Sequence, residues 1–318
     1  MDDSLDGRTI LITGGLGFVG SHLVDALVSD AELRILDDCS TGRRSRCPAE
    51  ATLIEGDLRE PGVLERATRG VDVIFHQAAV VSVEESVADP IGTNRTNLEA
   101  SLRLLERARR EDARVVVASS AAIYGDPETV PITEDQPTEP TSPYGLQKRA
   151  VDGYARLYAD LYGLETVALR YFNIYGPRQR GPYSGVVSAF LERAEAGDPI
   201  EIEGDGEQTR DFVHVSDVVR ANLLAATTDR TGEAFNVGTG RRHTIRRLAE
   251  VVREATDSPA GIVHREPRAG DIRHSVADVS KARRELGFEP TVGLEAGIRA
   301  LAQERPALGA TTGDGSTG

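Results

Sequence analysis

The sequence predicts an α/β fold, on three observations. Buried-strand runs alternate with helical stretches, the first strand ends in a glycine-rich turn that opens a helix, and this regularity weakens from about Asn173. Together they describe a doubly wound parallel sheet of Rossmann type with a smaller C-terminal lobe. At 318 residues and 39% hydrophobic, the chain is long enough to bury one large core or two smaller ones.

In chain order, "RTILITGG" is a short apolar strand ending in glycines, and "FVGSHLVDALVSD" then carries Val19, Leu23, Ala26 and Leu27 at helical spacing. "LRILDD" reads as the second strand, "ATLIEGDL" as the third, "VDVIFHQAA" as the fourth and "ARVVVASSA" as the fifth, with helical patterns such as "NLEASLRLLERARRE" between the later ones. Repetition of this unit implies parallel strands joined by right-handed crossovers, with helices on both faces. The sheet domain is expected over residues 1–172, with segments near 210–240 able to return to it, and the second lobe over 173–305. That lobe holds loops rich in Gly, Pro and Arg, "YGPRQRGPYSG", "EGDGEQTRDF" and "REPRAGDIRH", which suit recognition rather than scaffolding. The glycine-rich end, 306–318, is expected to be disordered.

Composition narrows the function. Thirty-seven basic against 51 acidic residues leave a formal charge of −14, so neither nucleic acid nor an anionic membrane is an expected partner. Of the basic residues only Lys148 and Lys281 are lysines. The acid excess with arginine in place of lysine fits a salt-adapted cytosol or a GC-rich genome, and the residues do not choose between them. The N-terminus "MDDSLDGRTILITGG" has no basic region followed by an apolar one, and no segment approaches about 18 uncharged apolar residues. A cytoplasmic protein is expected. Cys39 and Cys47 stand alone, without the partners of a zinc site or a disulfide framework.

The turn "TGGLGFVG" places Gly14, Gly17 and Gly20 in GxxGxxG spacing. Glycines there permit a tight turn and the approach of backbone to a pyrophosphate resting on the next helix N-terminus. Asp37 lies twenty residues after Gly17 at the end of the second strand, followed by Asp38. A carboxylate in that place bonds a ribose 2′-hydroxyl and repels a 2′-phosphate, favouring NAD over NADP, although Arg43 and Arg44 argue the other way. Asp57 ends the third strand and serves either the adenine or the turn itself.

Ser120 ends the fifth strand, and Tyr144 and Lys148 occupy a later helix at i and i+4, on one face. A tyrosine with pKa near ~10 is a poor base at neutral pH, and a nearby ammonium brings it towards the working range. Serine, tyrosine and lysine downstream of a dinucleotide turn therefore read as a catalytic set. The helix's other apolar positions, Val151, Tyr154, Ala155, Tyr158 and Leu161, read as one stripe for the core or for a helix-on-helix dimer contact.

With "TGGLGFVG", Ser120, "YGLQK" and "RYFNIYGP" in place, the chain resembles the extended short-chain dehydrogenases/reductases from about Arg8 to Ala300. Within them it is similar to nucleotide-sugar epimerases of the UDP-glucose 4-epimerase type. The resemblance implies NAD as cofactor, a nucleotide-diphosphate sugar as substrate and a homodimer. It implies that Phe18 and Val19 border the pyrophosphate, that Asp37, Asp38, Cys39, Ser40, Thr41 and Gly42 hold the adenosine, and that Asp57 and Leu58 reach the adenine. Gln77, Ala78, Ala79, Val80 and Val81 line the nicotinamide side, with Asn97, Lys148 and Phe172 completing the cofactor site. For the substrate it implies Asn173, Arg210 in "RDFVHV" and Arg268 in "PRAGD" at the diphosphate, Asp271 at a loop or the ribose, and Ser275 near the sugar's 2-substituent.

The reaction follows from what is missing. In the dehydratases that the chain resembles, an Asp-Glu pair follows the hydroxyl residue to work at C5 and C6, and the similar decarboxylases put a glutamate in the same segment. Here the two positions are Ala121 and Ala122. C4 epimerisation needs no group beyond Ser120, Tyr144 and Lys148, because the 4-keto sugar turns over and takes the hydride back on its other face. The alternatives are another nucleotide-sugar modifier, such as a UDP-glucuronate 4-epimerase, a 4-keto-sugar reductase or a dehydratase, and a non-catalytic NAD-binding regulatory protein.

Overall fold

Runs of Val, Ile and Leu bounded by glycine or acidic turns form the strands, since such side chains pack well on a pleated surface buried on both faces. The computed structural model describes residues 5–179, 185–267, 270 and 272–304. Arg268, Asp271 and the expected tail 306–318 lie outside the described residues. The strands are β1 (Thr9–Thr13), β2 (Glu32–Asp37), β3 (Thr52–Glu55), β4 (Val73–His76), β5 (Arg114–Ser120), β6 (Thr166–Tyr171) and β7 (Asn173–Tyr175). After them come β8 (Ile200–Glu203), β9 (Thr209–Arg210), β10 (Phe212–His214), β11 (Glu233–Val237), β12 (His243–Thr244), β13 (Ile262–Arg265) and β14 (His274–Ser275). The helices are α1 (Phe18–Leu27), α2 (Pro61–Thr68), α3 (Val83–Ala88), α4 (Pro90–Asn94), α5 (Ala100–Glu111) and α6 (Pro143–Tyr162). The later ones are α7 (Val186–Ala196), α8 (Val215–Thr227), α9 (Ile245–Ala255), α10 (Ser280–Leu286) and α11 (Leu294–Glu304).

A seven-stranded parallel sheet runs in the order β11-β6-β5-β4-β1-β2-β3. The order reverses between β1 and β4, so the turns leaving these two strands diverge and open a crevice at the carboxyl edge. One face is covered by α1 and α8, through Leu23, Val24, Val218 and Ala221. The other is covered by α2, α5 and α6, through Leu64, Leu104, Leu105, Val151 and Ala155. Strand β11 and helix α8 both come from beyond Asn173, so the sheet's last strand and one covering helix are supplied after the chain has begun its second core. That core packs Tyr175, Phe190, Leu191, Ile200, Phe212, Leu248 and Ile298. A small cluster of Ile123, Tyr124, Ile132, Phe172, Ala277 and Val279 joins the two.

Asp217, fully buried in the first turn of α8, fastens the C-terminal segment. Its carboxylate accepts from Thr291 N (3.0 Å), the Thr291 hydroxyl (2.8 Å) and Val292 N (3.1 Å), and pairs with Arg220 at 3.0 Å. Removing a buried acceptor strands every donor it served. Asp217→Ala should cost about 3 kcal/mol in urea unfolding and open residues 290–304 to protease first. A loss near zero with an unchanged cleavage pattern would remove Asp217 from this role.

Candidate active site

The turn after β1 is built by two close approaches. Gly14 has φ +68°, and a Cβ there would sit 2.8 Å from Ala78 N. A Cβ on Gly20 would run into the Gly14 carbonyl, so α1 can start hard against the turn only with glycine at that position. Gly17 is the N-cap of α1, and no side chain caps the helix. Phe18 and Val19, the first helical residues, are half-buried. Asp37 closes the turn from β2: one carboxylate oxygen accepts Leu16 N (2.9 Å) and the other Cys39 N (2.8 Å). Burial pushes its carboxyl above the usual range. Each oxygen keeps a second lone pair for a further donor. Asp38 takes the amide and hydroxyl of Ser40, and Thr41 and Gly42 complete the loop. Asp57 is held by Arg59, which donates from its amide at 2.7 Å and keeps the carboxyl low, while Leu58 packs into the core.

Across the crevice, hydrogen-bond direction fixes a buried histidine. The Ser101 hydroxyl donates to Asn97 O (2.6 Å), so towards His76 Nε2 (2.7 Å) it accepts. His76 therefore carries its proton on Nε2, and Nδ1 accepts from the Thr13 hydroxyl at 2.8 Å. Thr13 in turn accepts Ala78 N at 3.3 Å. Burial, aided by Lys148, brings the imidazole down to about 3, so it stays neutral. A π-helical stretch, Arg95–Glu99, turns Asn97 inward, where it accepts Val80 N (2.8 Å) and donates to Val80 O (2.9 Å) and Gln147 Oε1 (2.8 Å). Asn97 thus acts on loop 78–81, because both amide protons are committed. Gln77 turns its amide to Asn222 at 3.1 Å and Tyr171 at 3.3 Å, which leaves the backbone of Ala78, Ala79, Val80 and Val81 to line the crevice.

Helix α6 brings the remaining groups. The Ser142 hydroxyl caps it by accepting Gly145 N (3.1 Å), with Pro143 at the first position. A Cβ on Gly145 would lie 2.7 Å from Ala122 O, so glycine lets the helix settle onto the 3-10 turn Ala121–Tyr124. Tyr144 N donates to Ser86 Oγ at 3.1 Å, and its phenol lies near the Ser120 hydroxyl. Burial raises the phenol above its ordinary pKa, with the Ser120 hydroxyl pulling the other way. Lys148, 6% exposed, donates from Nζ to Ala118 O at 2.7 Å, and burial brings its ammonium down to about 8. The buried ammonium thus takes the strand-end carbonyl it needs, one turn along α6 from Tyr144. The single apolar stripe of α6 is corrected. Val151, Ala155 and Tyr158 face the core, whereas Tyr154 and Leu161 join Leu146 and Leu157 on an exposed face.

On the C-terminal side, Phe172 is buried and donates its amide to Val237 O (3.0 Å), and Asn173 donates from Nδ2 to Asp211 O (3.2 Å). Arg210 stands opposite Ser275 in the β9–β14 pairing, so these two expected substrate residues come together. Asp211, fully buried, ties this region down by accepting Thr239 N (2.8 Å), the Thr239 hydroxyl, Gly240 N (2.9 Å) and Ala277 N (3.2 Å). Among the described residues no cluster suits a metal ion.

A dinucleotide turn, a Ser-Tyr-Lys set and a carboxylate at the end of β2 occupy one crevice, and residues 10–238 match the model of the NAD dependent epimerase/dehydratase family. The chain belongs to this family. UDP-glucose 4-epimerase of Mycolicibacterium smegmatis is 38% identical over 299 residues, covering 91% of this chain and 95% of that protein. The solved UDP-N-acetylglucosamine 4-epimerase of Methanobrevibacter ruminantium, in complex with UDP-N-acetylmuramic acid, has TM-score 0.90 and 37% identity over 94% of this chain and 98% of that one. UDP-glucose 4-epimerase of Thermotoga maritima, with UDP-glucose, has TM-score 0.89 and 40% identity over 93% and 97%.

Several residues that shape this epimerase/dehydratase-family site escaped the sequence. Arg46 donates to Leu16 O (3.0 Å) and Arg178 O (3.3 Å), bracing the glycine turn against the loop after β7. Nothing marks it among so many arginines. His76 closes an otherwise apolar strand and was a readable anomaly, whereas Asp211 stands between β9 and β10 at the end of a polar run and looks ordinary there.

Lys148 carries a stability consequence with a definite sign. Its folded value of about 8 lies below the ordinary 10.5, so between these pH values the unfolded chain holds a proton that the folded chain has released. Stability from this group rises with pH through that window, and below about 8 the full burial cost remains, about 3 kcal/mol. Lys148→Met forgoes the bond to Ala118 O, about 1 kcal/mol. At pH 7 the variant should be inactive yet more stable by about 2 kcal/mol in urea, with the gain vanishing towards pH 10. A variant less stable at both pH values would refute this.

Proposed function

We propose that the protein epimerises a nucleotide-diphosphate sugar at C4, with UDP-glucose and UDP-galactose or their N-acetyl forms as substrates and NAD as cofactor. The observation that carries this is Ser120 at the Tyr144 phenol with Lys148 one turn further along α6, followed by Ala121 and Ala122, which supply no acid or base. The residues fit NAD. The uncapped N-terminus of α1 suits a pyrophosphate, Asp37 has lone pairs left for ribose hydroxyls, and Arg44 is paired with Glu55 instead of awaiting a 2′-phosphate.

When bound, NAD supplies the acceptor, and on return the donor, of the C4 hydride. Tyr144 takes the proton from O4 and gives it back, and Ser120 holds O4 with its hydroxyl. Lys148 favours the ionised phenol and offers its remaining N–H groups to the nicotinamide ribose. Asn173, Arg210 and Arg268 balance the diphosphate charge that the acidic surface repels, Asp271 orients a loop or the ribose, and the small Ser275 leaves room for a 2-substituent. Asp38, Cys39, Ser40, Thr41, Gly42, Asp57 and Leu58 enclose the adenosine, and Phe172 closes the nicotinamide side.

NMR of products from UDP-glucose, UDP-galactose, the N-acetyl forms and UDP-glucuronate tests the reading. Expected are C4 epimers without accumulation of NADH. Stoichiometric NADH or loss of the C6 hydroxyl would reject it. Tyr144→Phe should lower kcat by at least about a thousandfold while NAD binds as before.

Helix α6 exposes Leu157 (44% accessible) and Leu161 (62%), and α3 and α4, which also pack against α6, expose Val87 and Ile91. A second copy of the chain fits this apolar surface, making a homodimer in the cytoplasm. Leu157→Arg should sediment as a monomer, and an unchanged sedimentation coefficient would place the contact elsewhere.

A further inference from the structure

Three residues at the end of β5 hold three successive turns of α6. Ser120 lies at the Tyr144 phenol, Ala118 O takes the Lys148 ammonium, and the Ser119 hydroxyl donates to Asp152 Oδ2 at 3.0 Å. Tyr144, Lys148 and Asp152 stand at i, i+4 and i+8, a single stripe of the helix. The proposed chemistry uses the first two rungs and not the third.

Asp152 is buried, and Arg170 of β6 grips it with both ends of its fork, Nε to Oδ2 at 2.9 Å and Nη2 to Oδ1 at 3.0 Å. The other nitrogen of Arg170 donates to the Tyr124 hydroxyl and to Glu134 O, both at 2.9 Å. Tyr124 donates to Asn236 Oδ1 at 2.7 Å, and Asn236 donates to Ile132 O (2.9 Å) and Asp278 O (3.3 Å). Ile132 is paired by backbone with Val276 and Asp278, the segment that follows Ser275. One buried chain of bonds thus runs from the turn below Lys148 to the strand that carries the expected sugar contact.

Covering a sheet does not require this arrangement, since apolar side chains of similar volume at a buried ion pair are commonly as stable or more so. What the pair adds is direction: a forked guanidinium on a carboxylate tolerates little rotation of the helix. We propose that Asp152 and Arg170 are positioning residues, which set the rotation of α6 so that Tyr144 meets Ser120, and which carry that setting through Tyr124 and Asn236 to the segment after Ser275.

The proposal rests on the epimerase reading for its kinetic arm only. Two mild variants cut the chain at either end: Ser119→Ala frees Asp152 from β5, and Tyr124→Phe breaks the link to Asn236 while keeping the ring under Arg170. Steady-state kinetics with the UDP-sugar that the parent converts is combined with NMR of 13C-labelled tyrosine, in which the Tyr144 signal is assigned by its loss in Tyr144→Phe. Ser119→Ala should lower kcat about tenfold at unchanged KM and move the ionisation midpoint of Tyr144, and Ser119→Thr should restore both. Tyr124→Phe should raise KM about fivefold with kcat within twofold. Parental kcat, KM and Tyr144 midpoint in both variants, even with a lowered Tm, would overturn the proposal. If the parent converts no nucleotide sugar, the reaction reading fails by itself; a shifted Tyr144 midpoint in Ser119→Ala then still supports the positioning role, and an unshifted one overturns it.

Discussion

An ammonium group buried at the end of a parallel strand must find an acceptor, and Lys148 finds the carbonyl of Ala118. Much else follows from that bond. It draws α6 onto β5, which puts Tyr144 within reach of Ser120, and it makes the glycine at 145 necessary for the helix to come down far enough. Parallel strands all finish at one edge, so the polar side chains needed for function accumulate there and each must be satisfied internally. Asp37, His76, Asn97 and Asp211 meet this demand in the same way, by bonding backbone or hydroxyl groups of a neighbouring loop. The loops around the crevice are held by the side chains that line it.

Charge is arranged by the same logic. The chain is strongly acidic, yet Lys148 and Arg46 sit at the crevice. Outside, arginines pair with nearby carboxylates, as in Arg103–Glu99, Arg107–Glu111 and Arg109–Glu106, contacts that are screened by salt and individually weak. A dianionic diphosphate therefore meets a repelling exterior and an attracting interior, which favours ligands that fit over those that merely adhere.

The first five strands and the helices between them were legible because their apolar residues repeat with periods set by backbone geometry alone. The glycine turn and the i, i+4 relation of Tyr144 and Lys148 were legible for the same reason. The return of β11 to the sheet was foreseeable only as a possibility near 210–240, since strand order depends on packing between distant segments. The two faces of α6 merged into one stripe in the sequence because Tyr154 and Leu161 lie at the edge of the same apolar arc as Val151, Ala155 and Tyr158, and spacing alone does not show where burial stops. Asp152, Arg46 and Asp211 gave no warning for a deeper reason. Each acts through partners about 20 to more than 100 residues away, and an Asp or Arg looks the same in sequence whether it faces water or a buried fork.

Helix α6 touches the 3-10 turn through the carbonyl of Ala122, not through the side chains of Ala121 and Ala122, which remain half-exposed. That contact does not depend on what those two side chains are, although Ala121 also packs against the cluster of Ile123, Tyr124 and Phe172. Under the proposed reading, these two positions separate epimerisation from chemistry at C5 and C6 while the sheet, the cofactor turn and the helix contact stay the same. That a single family name spans epimerases and dehydratases is then no accident of classification. On that reading it reflects a scaffold in which the commitment to a chemical outcome sits on two methyl groups.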